Sequence, residues 1–152
     1  MYSCIRYGIP IYGMASSTNL DSLQILQNKL LKVLLNRPYR YSTNQLHNEL
    51  DILKINDIFK QEVLNFVYCQ MNNMLPDIFD EYFITFSNIH NIVIRGHSTQ
   101  LQIPNHKLEI AAHTVKILGA SLWNELSSNL KKCKTLKNFS LNYKKFILPY
   151  KT

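Results

Sequence analysis

Apolar residues recur at steps of three and four at Leu20, Leu23, Leu26, Leu30 and Leu34, and the pattern stops at Asn36-Arg37-Pro38. That spacing lays one apolar stripe along a helix. Thr18 or Asn19 can cap its start, and Lys29 and Lys32 lie off the stripe. Pro38 ends it by biasing the residue before it away from helical geometry. A second stripe, Ile55, Phe59, Val63, Phe66, Val67 and Met71, predicts a helix from about Asn56 to Asn72 with Lys60, Gln61, Asn65 and Asn72 facing water. Neither stripe has another surface long enough to bury it. The two helices are therefore expected to pack face to face.

Shorter elements surround this pair. The opening Tyr7-Gly8-Ile9-Pro10-Ile11-Tyr12-Gly13 reads as turns, Thr43 to Leu50 as a short helix, and Asp51 to Lys54 as a turn. Pro76 opens another short helix, with Asp77, Asp80 and Glu81 near its start, where carboxylates suit the helix dipole. Ile92 to Ile94 and Leu101 to Ile103 read as two short strands with Gly96 between them. Residues 108–126, which contain Gly119 and Trp123, follow no single period. A last helix from about Thr135 to Leu148 carries the stripe Leu136, Phe139, Tyr143, Phe146 and Ile147, with Lys137 and Lys144 on its basic side and Pro149 as its stop. The fold class is mainly α: a helical bundle with a short β hairpin and a C-terminal basic amphipathic helix.

At 152 residues and 46% hydrophobic content, the chain is long enough and apolar enough to build a real core. No run approaches the ~18 apolar residues that cross a bilayer. Gly8, Pro10 and Gly13 interrupt the mildly apolar N-terminus, so no signal peptide is read there. Cys4, Cys69 and Cys133 are odd in number and widely spaced, which fits reduced intracellular thiols, nuclear or cytoplasmic, better than a disulfide framework.

The net charge of +7 is unevenly placed. Residues 1–125 carry ten Lys/Arg and ten Asp/Glu, whereas residues 126–152 carry Lys131, Lys132, Lys134, Lys137, Lys144, Lys145 and Lys151 with no acid. Such asymmetry favours a polyanion, nucleic acid being the commonest, although a charge run also serves simply to solvate a helix face. A membrane surface is a third partner for a basic amphipathic helix.

Catalytic constellations are missing from the pattern. His47, His90, His97, His106 and His113 have no metal-ligand spacing and read as surface or turn histidines. Asp77, Asp80 and Glu81 suit a helix start better than a two-metal site, which needs carboxylates gathered around ions ~4 Å apart. Trp123 stands where a nucleophile elbow needs its second glycine, and no glycine-rich phosphate loop is present. No metal, cofactor or catalytic residue is assigned.

Several segments, in order, resemble the region after the catalytic core of non-LTR retrotransposon reverse transcriptases, the jockey-like and related elements. They are YGIPIYG with LDSLQILQNKLLKVLLNRPYRY, then DILKINDIFKQEVLNFVYCQMNNMLPDIFDEYF, IRGHSTQLQIP, and GASLWNELSSNLKKCKTLKNFSLNYKKFIL. Together they cover nearly the whole chain. Tyr12 stands where the family often has Trp, Ile94 where Thr is usual, and Ser127 where Pro is usual. The resemblance implies a thumb-like helical subdomain over residues 1–75 and a C-terminal extension over 76–152 with a short β element and the basic helix. It also implies a fragment lacking fingers, palm and endonuclease, and with them the catalytic aspartates. A complete polymerase of the family uses magnesium; no site for it is read here. The implied partners are an RNA or DNA duplex, held weakly through phosphates, and the missing polymerase palm. The residues placed at that duplex are Lys29, Lys32, Arg37, Arg40, Lys131, Lys132, Lys134, Lys137, Lys144 and Lys145. The competing reading is a small helical interaction protein whose basic helix binds an acidic partner or membrane surface.

Overall fold

The structure, a computed structural model, describes residues 2–15, 17–86 and 100–148. It is mainly helical. Around α4 (Ile55–Met71) are arranged α1 (Tyr2–Tyr12), α2 (Ser17–Leu34), α3 (Thr43–Glu49), the short α5 (Glu109–Ala112), α6 (Val115–Glu125), the single turn α7 (Ser128–Lys131) and α8 (Leu136–Ile147). A 3₁₀ turn spans Asp77–Phe79.

α4 is the shared wall of two apolar clusters. At its start Ile55, Ile58, Phe59 and Val63 pack with Ile5 and Ile9 of α1, Leu20 of α2 and Leu53. Further along, Leu64, Val67 and Tyr68 pack with Phe83, Leu101, Trp123 of α6, and Phe139 and Tyr143 of α8. Tyr68 and Phe139 stack with ring centroids 4.8 Å apart, and the Tyr68 hydroxyl donates to the Cys133 carbonyl at 2.7 Å. Burial therefore surrounds α4. Gln61 and Asn65, expected in water, are buried; Gln61 Nε2 donates to the Ser140 carbonyl at 2.8 Å, satisfying itself against α8.

Four expectations are corrected. The N-terminal segment is helical, with Pro10 inside α1. Burial of Ile5 and Ile9 against α4 outweighs the local penalty of glycine and proline. α1, rather than α2, runs against α4, while α2 adjoins only its N-terminal end through Leu20 and Leu23. The buried line on α2 is also rotated from the leucine stripe. Leu20, Gln27 and Leu31 are buried, whereas Leu26 is 60%, Leu30 43% and Leu34 69% exposed. On α8, Phe139 and Tyr143 are buried as expected, but Phe146 is 68% exposed.

The β element is smaller than the pattern suggested. Among the described residues no strand forms; Leu101 makes a single antiparallel bridge to Thr85. Asn124 holds Leu101 in place, its Nδ2 donating to the Leu101 carbonyl and its Oδ1 accepting from the Leu101 N–H, both at 2.8 Å. A side-chain clamp here does the work of a strand neighbour. The expected strand at Ile92 to Ile94 lies outside the described residues.

Three helices stop in one way. Asn36, Asp51 and Asn73 have φ near +50° (49°, 50° and 52°), the left-handed conformation that Asn and Asp tolerate best after glycine. In each case the next N–H reaches back to the carbonyl five residues earlier: Arg37 to Lys32, Ile52 to His47, Met74 to Cys69. Inside α6, Gly119 lets Phe83 and Val67 approach the backbone where a methyl group would crowd them.

Candidate nucleic-acid interface

The basic residues fall into two groups. The first belongs to α2 and the turn after it. Lys29, Lys32 and Arg37 line one groove with Ile25, Val33, Tyr39 and Thr43. Lys32 Nζ donates to the Tyr39 carbonyl at 2.6 Å and lies 5.4 Å from the Tyr39 ring centroid. Arg37 stacks on Tyr41 at 4.9 Å and pairs with Glu49 at 3.2 Å. The Tyr41 hydroxyl also donates to Glu49, and that bond holds its phenol neutral to higher pH than usual. Arg40 stands exposed between the two tyrosines in sequence.

The second group lies around the start of α8. Thr135 caps that helix, its hydroxyl accepting from the Asn138 N–H at 3.2 Å. Lys132 and Lys134 are exposed just before the cap, and Lys137 is exposed in the first turn. Lys131 is half-buried with its ammonium 5.8 Å from the Trp123 ring centroid, and burial pushes its pKa down. At the far end Lys144 is tied to Asp51. Lys144 therefore sits in an ion pair, a setting different from that of the exposed Lys137. Lys145, also in the last turn, is exposed.

No acid stands in the first turn of α8, where a helix ordinarily gathers carboxylates. Lys137 sits in that first turn, at the positive end of the helix dipole, where a bound anion is favoured.

The acid cluster offers no comparable focus. Asp77, Asp80 and Glu81 are each exposed around the 3₁₀ turn. Among the described residues no group of three or more His, Cys, Asp or Glu is placed to hold a metal. No described helix is long and apolar enough to cross a membrane.

His47 is corrected from surface to core. It is 1% exposed, with Nδ1 2.9 Å from the Ile52 carbonyl and Nε2 2.9 Å from Asn28 Oδ1, and burial pulls its pKa down. Beside it Gln27 Nε2 donates to the Leu53 carbonyl at 3.1 Å, and Gln24 Oε1 accepts from the Ile55 N–H at 2.8 Å. Gln24, Gln27, Asn28 and His47 thus form a polar seam that anchors the link into α4. His106 is exposed, and His90 and His97 lie outside the described residues.

Against this geometry, 54 residues of the chain are 32% identical to the RNA-directed DNA polymerase from mobile element jockey of Drosophila melanogaster. Part of this chain is similar to a retrotransposon reverse transcriptase. The match covers 36% of the chain and only 6% of that relative's length. No family model and no solved structure matches.

The motif residues acquire physical meaning in the fold. Gln24, Gln27 and Asn28 of the Leu-Gln-x-Leu-Gln-Asn wording build the seam, and Trp123-Asn124 supplies a core ring and the Leu101 clamp. These motif residues support structure. Sequence reasoning missed the exposed Tyr39. Its signal was the interleaving of Arg37, Tyr39, Arg40 and Tyr41 in a stretch, residues 22–48, that holds no acid.

Proposed function

We propose that the chain is a non-catalytic thumb and post-thumb fragment of a retrotransposon RNA-directed DNA polymerase that binds duplex nucleic acid weakly and without sequence preference. The similarity to the jockey polymerase supports the origin. The binding rests on one observation: Lys132 and Lys134 just before the Thr135 cap and Lys137 just after it are all exposed, with no acid in the first turn of α8. Phosphates would neutralise these lysines and meet the helix N–H groups together.

Binding of this kind releases counterions, so log affinity should fall with log salt at about −0.9 for each phosphate contact. Three contacts give a slope of about −3. Fluorescence anisotropy of a labelled duplex across a salt series measures it. Lys132→Gln with Lys134→Gln should flatten the slope by about 2 while leaving relative affinities for different sequences unchanged. Deleting the tail is no substitute, because Phe139 and Tyr143 belong to the core. Salt-independent binding, or a slope indifferent to the double substitution, overturns the proposal.

A second reading, a helical interaction protein, draws on the exposed side of α2. Leu26, Leu30, Val33 and Leu34 form an unburied apolar strip, and strips of this kind mark protein contacts. Within the fragment reading the same strip suits the polymerase palm. Sedimentation of the purified chain tests self-association through it, which Leu30→Glu with Val33→Glu should abolish.

A further inference from the structure

The groove beside α2 has a composition that charge solvation alone does not explain. Between Asp21 and Glu49 there is no acid, while Lys29, Lys32, Arg37 and Arg40 all fall there. The left-handed turn at Asn36 and the following Pro38 fold Tyr39 back beside the last turns of α2. The space enclosed is about 580 Å³. Its apolar lining is open to water: Ile25 is 53%, Val33 79% and Tyr39 83% exposed. Lysines need no such neighbours to be solvated.

The aromatic ring is also held rather than loose. Lys32 bonds the Tyr39 carbonyl and places its ammonium near the ring, and Arg37 lies over the Tyr41 ring while bridging to Glu49. Two of the four cations therefore organise tyrosines. Lys29 remains as an exposed charge in the lining, and Arg40, next to Tyr39 in the chain, is exposed as well. A π-face, an aliphatic floor and nearby cations are what an unpaired nucleotide needs: a surface for its base and a charge for its phosphate. A duplex keeps its base faces stacked inside and cannot use the ring.

We infer that this groove binds single-stranded nucleic acid, with a base stacked on Tyr39 against Val33 and flanking phosphates at Lys29 and Arg40. The inference rests on the nucleic-acid reading of the chain and adds a strand type and a second contact site, separate from the start of α8. Stacking is tolerant of sequence, because every base has a π-face. The site therefore discriminates paired from unpaired strands and not one base from another.

The test uses the full chain, a labelled oligo(dT) of about 15 nucleotides, an oligo(U) of the same length, and a duplex of matched length. Tyr39→Ala should weaken oligo(dT) and oligo(U) binding about tenfold, the scale of one base–aromatic stack. Tyr39→Phe should retain the affinity, and both variants should leave duplex binding unchanged. Because Tyr39 is exposed, the melting temperature of each variant should match the parent. Equal losses for duplex and single strand, or no loss with Tyr39→Ala, overturn the inference. So does an acidic amphipathic peptide whose binding depends on Tyr39 while that of the oligonucleotides does not; the groove then belongs to a protein. Duplex binding that needs Lys132 and Lys134 while Tyr39 is silent sinks this inference alone. Absence of all nucleic-acid binding sinks both readings.

Discussion

Two adjacent leucines on α2 should respond very differently to the same truncation. Leu31 is 1% exposed, whereas Leu30, one residue earlier, is 43% exposed with part of its side chain in water. Leu31→Ala removes buried methyl groups and leaves a cavity, so about 2–5 kcal/mol should be lost, with about 3 as the working value. Leu30→Ala removes surface that is already half wet and opens no cavity, so its cost should stay below about 1 kcal/mol. In a chain of this size each kcal/mol moves the melting temperature by about 2–4 °C. Leu31→Ala should therefore melt about 6–12 °C early, and Leu30→Ala within about 3 °C of the parent. Urea unfolding followed by far-UV circular dichroism, with melting as a second readout, measures both. Equal costs would refute the placement of α2. A larger cost at Leu30 would mean that the helix is rotated by one residue and that the leucine stripe read from spacing is the buried one after all.

Other perturbations probe other parts of the molecule. A methyl group on Gly13 would collide with the Phe59 ring and the Ile9 carbonyl oxygen, so Gly13→Ala should lose about 1–3 kcal/mol; unchanged urea unfolding would show that α1 does not dock there. Burial, with Asp57 and Glu125 adding to it, raises the Tyr143 pKa to about 12 from an ordinary 10.0. The unfolded chain then releases this proton first, so stability is intact below pH 10 and is lost as pH rises toward 12, by about 2–3 kcal/mol. Tyr143→Phe should flatten that alkaline decline, and a decline indifferent to the substitution counts against the buried phenol. Purified chain should incorporate no nucleotide on a primed template with magnesium or manganese; extension that disappears with Asp77→Asn or Asp80→Asn would give the exposed acids a role denied to them here.

Periodicity located the long helices well because each carries many apolar residues, and an error at one position leaves the pattern intact. It misjudged which side of α2 is buried because it counted leucines and treated glutamine as solvent-facing. Gln24 and Gln27 lie on the inward side since the backbone at Leu53 and Ile55 needs partners there, a demand set by tertiary structure and invisible in a hydropathy pattern. The same holds for Gln61 and His47. α1 was hidden by Gly8, Pro10 and Gly13, whose local penalties are overcome only by α4, more than forty residues away. The charge asymmetry after Glu125 was plain in the sequence, but the pairing of Lys144 with Asp51 depends on how α8 crosses the chain. The groove at Tyr39 needed the turn at Asn36 to bring its lining together.

A helix with leucines on its wet side would ordinarily roll until they were covered. α2 cannot. One residue's rotation, about 100°, would carry Gln24 and Gln27 away from the Ile55 N–H and the Leu53 carbonyl and strand His47 against Asn28. Each buried group left unbonded costs about 1–3 kcal/mol, more than burial of one half-exposed leucine returns. The amides thus act as a ratchet that keeps the greasy side outward at every concentration. Clumping in dilute buffer would then be a property of the native state and no sign of misfolding. Stabilising the core would leave it undiminished.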